Sequence, residues 1–92
     1  MMIQQDDFVP LHPDERVGYN ALYRLKKHSV SVSFGGMCYG SGFWNKANGS
    51  VGGSFEACVF DRDGNVVPGD DGNDVRGWLS LDQVNDLLLQ YS

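Results

Sequence analysis

The chain has 92 residues, of which 41% are hydrophobic and 12% aromatic, a composition that excludes a disordered chain and predicts a single domain spanning 1–92 around one aromatic-rich core. Charge is segregated: residues 1–15 carry −4, residues 16–55 carry +5 with no acid, and residues 56–92 carry −6, giving a formal net charge of −5. A sequence pI near 4.6 argues against a general phosphate-backbone binder and favours an acidic surface offered to a basic partner, or halves that neutralise each other across the fold.

Met1 to Asp7 has neither the basic start nor the apolar run of a secretory signal, and no window approaches a membrane span, so a soluble, cytoplasmic protein with no membrane partner is expected. There the only two cysteines, Cys38 and Cys58, are free thiols.

His12-Pro13-Asp14-Glu15 predicts a helix start, with proline at the first helical position and acids at the positive end of the dipole. The helix is expected to run to about Lys27. Val17, Ala21, Leu22 and Leu25 form its core face, and Arg16, Asn20, Arg24 and Lys27 a polar row. Arg24, Lys26, Lys27 and His28 then complement the C-terminal carbonyls of that helix. Gly18 weakens it and marks a close contact.

Ser29 to Phe34 alternates strictly, which predicts a strand with Val30, Val32 and Phe34 buried and three serines outward. Seven glycines between Gly35 and Gly53 predict turns and bulges, with a second, glycine-interrupted strand within Met37 to Trp44 before a turn around Asn45-Lys46-Ala47-Asn48-Gly49. A third strand is expected near Ser54 to Phe60, with Phe55, Ala57 and Val59 on one face. Asp61 to Asn65 reads as a hairpin connection into Val66-Val67, with Gly64 at positive φ. Pro68 to Asp74 is a polar loop. Ser80-Leu81-Asp82-Gln83 is a capping box opening a helix whose apolar face is Leu81, Val84, Leu88 and Tyr91, widened by Leu87, with Leu89 partly exposed. The predicted fold class is therefore α+β: an N-terminal helix, a small antiparallel meander of three to four strands, and a C-terminal helix packed on the sheet. An exposed edge on the Val30 strand or the last strand leaves both monomer and homodimer open.

Asp61, Asp63 and Asn65, followed by Asp70, Asp71, Asn73 and Asp74, gather oxygens in the way a Ca²⁺ loop does, but the sixth and twelfth positions counted from Asp61 hold Val66 and Gly72 in place of glycine and glutamate. Cys38, with His12 or His28 as base and Glu56 as orienting group, is a possible nucleophile, yet no nucleophile turn or helix start activates it. Cys38, Cys58, His12 and His28 are too widely spaced for a zinc knuckle. No phosphate or dinucleotide loop and no cofactor motif is present, so neither metal nor cofactor is expected. Tyr39, Phe43, Trp44 and Trp78 beside Lys46 resemble a base-stacking surface, a reading opposed by the acidic balance.

The expected function is a non-enzymatic protein that binds a larger protein with a basic surface or groove, as an inhibitor, immunity factor or regulatory adaptor. Asp70, Asp71 and Asp74 would meet the basic groove, and Trp44 or Tyr39 would anchor it. In size, acidity and lack of a catalytic constellation the chain is similar in style to small inhibitors and immunity proteins of phages and mobile elements, without a shared motif. The alternatives are a ligand-binding or enzyme domain using Cys38 and a single-strand nucleic-acid binder.

Overall fold

The computed structural model describes residues 3–11, 13, 18–35, 43–44, 51–52 and 55–92, with the backbone alone at 5, 43–44 and 51–52. Its main sheet has six antiparallel strands: β1 (Val9–Pro10), β2 (Tyr19–Arg24), β3 (His28–Phe34), β6 (Phe55–Asp61), β7 (Val66–Val67) and β8 (Arg76–Leu79). Two further strands, β4 (Phe43–Trp44) and β5 (Val51–Gly52), pair with each other. The only α-helix among the described residues is α1 (Leu81–Tyr91). The order across the sheet is β1-β2-β3-β6, and β7 and β8 share the far side of β6.

This corrects the predicted N-terminal helix. His12 and residues 14–17 lie outside the described residues, but Tyr19 to Arg24, expected to be helical, pairs along its whole length with β3, from Tyr19↔Phe34 to Arg24↔Ser29. The segment carries a period of two as well as of 3.6. Ala21 is buried, and Tyr19 and Tyr23 pack against the core; on the opposite face Leu22 is 50% exposed. Asn20 decides the competition, because its amide donates to the hydroxyls of Ser31 and Ser33 at 2.8 and 2.7 Å, tying β2 to the serine face of β3 as no helix could. The sheet also has more strands than the predicted three to four.

Gly18 is the close contact its residue type predicts. It sits at φ 129°, and a Cβ on Gly35 would come within 3.2 Å of its Cα, so the two glycines let β2 and β3 approach where a side chain would collide. The basic cluster is likewise not a helix terminus. Lys26 and Lys27 form the exposed turn between β2 and β3, closed by the Leu25 N–H donating to the His28 carbonyl at 2.8 Å.

Two other predicted strands hold. Val30 and Val32 on β3, and Phe55, Ala57 and Val59 on β6, form the buried face. The Val30 strand is not an edge, since β2 and β6 flank it; the last expected strand, Val66–Val67 (β7), is at one, with β8 beside it along β6. Within Met37 to Trp44 only Phe43 and Trp44 are described.

Helix α1 covers the buried face with Val84, Leu87 and Leu88, while Leu89 is 64% exposed. Its start is the predicted box: Ser80 Oγ accepts from the Gln83 N–H at 3.1 Å, and Gln83 Oε1 from the Ser80 N–H at 2.8 Å. The N-terminal segment closes the core from one side: Ile3 is buried, its N–H donates to Asn85 Oδ1 at 2.9 Å, and Asp7 Oδ2 accepts from the Tyr23 hydroxyl at 2.7 Å. Burial, followed by this hydrogen bond, raises the Tyr23 phenol well above its ordinary range. Among the described residues no helix is long and apolar enough to cross a membrane.

Candidate functional site

Residues 68–75 form an excursion at the sheet edge. Val67 pairs with Val59 and Arg76 with Ala57, so β7 and β8 read as one strand along β6 whose single step past Cys58 is replaced by an eight-residue loop. Such a loop, with its ends close together, is an Ω-type element. Arg76 staples its neck: Nη1 donates to the Val67 carbonyl at 3.1 Å and Nη2 to the Pro68 carbonyl at 3.2 Å. The same guanidinium lies 6.0 Å from the Tyr91 ring centre, on the helix side of the sheet.

The loop holds its own shape. Gly69 N–H donates to the Asn73 carbonyl at 3.0 Å and Gly72 N–H to the Gly69 carbonyl at 2.9 Å. Asp71 accepts through Oδ1 from the Asn73 backbone N–H and through Oδ2 from the Asn73 side-chain amide, both at 3.0 Å. These donors, the backbone one first, hold the Asp71 carboxyl below the usual carboxylate range. Of the three aspartates selected from sequence, Asp71 is thus engaged in building the loop. Asp70 and Asp74 make no hydrogen bond or ion pair among the described residues and are exposed.

Asp61 does for the β6–β7 turn what Asp71 does here, its Oδ1 accepting from the N–H groups of Asp63 and Asn65 at 2.9 Å each. Its carboxyl is lowered in the same way, by the Asn65 donor first. Gly64 sits at φ 85°, as the turn requires. Among the described residues no three His, Cys, Asp or Glu side chains converge as a metal site.

Immediately after the loop, β8 bulges. Between the pairs Phe55↔Leu79 and Ala57↔Arg76 it carries one residue more than β6, and Trp78 takes a left-handed conformation with φ 57°. For a large L-residue this conformation costs about 1–2 kcal/mol, and here Trp78 is 66% exposed. Trp78 and Gly77, with Asp71, Gly72, Asn73, Asp74 and Val75, line an open cleft of about 640 Å³. Loop and bulge therefore bring two of the predicted aspartates beside an aromatic that sequence reasoning had placed only in a stacking constellation. The available signal was Gly77, since a glycine inside a strand marks a bulge. Tyr39 and Cys38 lie outside the described residues, and Trp44 is described only by its backbone pairing with Val51.

Cys58, beside the neck of the loop, is half-buried. Burial pushes its thiol pKa up, with Glu56 adding to the rise, the opposite of what an activated nucleophile needs. At the β2–β3 turn Lys26, Lys27 and His28 share a cleft of about 260 Å³ with Gln90, Tyr91 and Ser92 at the end of α1. The His28 ring lies 4.7 Å from that of Tyr91.

No family model, curated protein or solved structure matches the chain.

Proposed function

We propose that this is a non-enzymatic cytoplasmic protein that binds a larger protein as an inhibitor, immunity factor or regulatory adaptor, presenting the 68–75 loop and Trp78 to a basic groove. One observation carries the reading: a mostly exposed tryptophan, held in a costly backbone conformation, lines a cleft with the carboxylate-bearing loop. Partly open aromatics are the usual anchors of protein interfaces, and carboxylates around them select basic partners and speed encounter. Carboxylates in that position repel phosphate, which favours a protein over a nucleic acid.

Tagged protein is used to capture partners from lysate at low and high salt, alongside the Asp70→Lys/Asp74→Lys double variant and Trp78→Ala. The expected result is one stoichiometric partner, lost with either variant while both remain folded by circular dichroism. Asp71 is left intact because its reversal would also open the loop. A partner retained undiminished by both variants refutes the reading.

A further inference from the structure

We propose that the cleft beside Trp78 reads arginine: the guanidinium of an exposed arginine on the partner lies flat on the indole and donates to the Asp74 carboxylate and to Asn73 Oδ1. This rests on the protein-binding reading above and names the group recognised.

The carboxylates of the cleft, from Asp71 and Asp74, point to a cation that donates hydrogen bonds. The Gly72 and Asn73 N–H groups donate inside the loop, as does the Asn73 side-chain amide, whereas the Asp74 carboxylate, which also lines the cleft, makes no hydrogen bond or ion pair among the described residues. Arginine has five donors and no acceptor. The chain's own cation does not fill the place, because Arg76 is committed to the carbonyls of Val67 and Pro68 and to the Tyr91 side. Volume agrees, since about 640 Å³ admits a guanidinium together with the peptide that carries it.

The aromatic separates arginine from lysine. A guanidinium is planar and weakly hydrated, so it stacks on an indole while its edge forks onto a carboxylate. An ammonium is a compact, strongly hydrated point charge that loses more water to reach the same place. Trp78 is 66% exposed, which leaves surface for a ligand to cover.

The test titrates ¹⁵N-labelled full-length protein with acetyl-Gly-Arg-Gly-amide, with its lysine counterpart and with the neutral citrulline counterpart. The readouts are the Trp78 indole N–H, assigned with Trp78→Phe, and the backbone amides of Asn73 and Asp74. The arginine peptide is expected to bind saturably and about two- to fivefold more tightly than the lysine peptide, because only the planar guanidinium can stack and fork at once with little loss of hydration. The citrulline peptide should leave the spectrum unchanged. Asp74→Asn weakens the arginine peptide, whereas Asp6→Asn, in the 3₁₀ turn (Gln5–Asp7) on the β2 side of the sheet, does not. Equal binding of the two cationic peptides overturns the arginine assignment while leaving a basic partner in place. No shift with either peptide also overturns it, and capture by Asp70 and Asp74 then decides whether the wider reading falls too.

Discussion

Replacing Trp78 by glycine and, separately, by alanine isolates the cost of its backbone conformation. Both variants delete the indole and its contacts, so the difference between them belongs to the main chain. At φ 57° the Cβ of alanine crowds the following carbonyl at a cost of about 1–2 kcal/mol, which glycine escapes. Against this, the greater freedom of glycine in the unfolded chain costs about 0.4–1 kcal/mol. The glycine variant should therefore be the more stable by about 0.5–1 kcal/mol. That sign is the reverse of an ordinary strand position, where alanine leads by about 0.5–1 kcal/mol. For a chain of this size a difference of ~1 kcal/mol moves Tm by roughly 4–8 °C. Urea and thermal unfolding followed by circular dichroism measure it, with equal urea slopes confirming the same extent of unfolding. An alanine variant as stable as the glycine variant, or more so, would refute the left-handed geometry and with it the account of how the bulge presents the indole.

Ser80→Ala removes half of the capping box and should cost about 1 kcal/mol in urea unfolding, with Ser80→Asp recovering most of it. Asp61 and Asp71 both have lowered pKa values, so the stability they supply is complete above the ordinary carboxylate range, near pH ~4, and is lost as pH falls through their depressed values. Unfolding midpoints measured from about pH 2 to about pH 6 should fall less steeply for Asp61→Asn and Asp71→Asn than for the natural chain; unchanged acid limbs would count against the turn hydrogen bonds. Lys26→Glu with Lys27→Glu puts acid at the C-terminal end of α1, which has no basic residue in its own last turn, and should destabilise by about 0.3–1 kcal/mol at low ionic strength and less in salt.

The parts of the fold legible in the sequence were those whose signal is local. β3 announces itself because serine and hydrophobe alternate without a break, and α1 because Ser80 and Gln83 complete each other across one turn. β2 is ambiguous in the sequence because Ala21, Leu22 and Leu25 satisfy a helical stripe as well as Tyr19, Ala21 and Tyr23 satisfy a strand, and the tie is broken by hydrogen bonds from Asn20 to Ser31 and Ser33, more than ten residues away. β8 leaves no strand signal in the sequence because Gly77 and the left-handed Trp78 interrupt its alternation. At the candidate site the acidity of the loop could be read directly. That Asp71 is spent on the loop, and that Trp78 lies beside it, depends on a turn and a bulge whose register is set by β6.

The interruption between β7 and β8 also bears on how the protein behaves in a crowd of its own copies. An unbroken strand along this side of β6 would turn outward a continuous row of unpaired N–H and C=O groups, a template on which another chain could add. Here that row is cut to two residues in β7 and four in β8, with eight residues of acidic loop between them and a bulge in the second piece. Shortening the loop until the two strands fuse would restore the template, so the same excursion that carries the carboxylates also makes this edge of the sheet a poorer surface for another strand to add to.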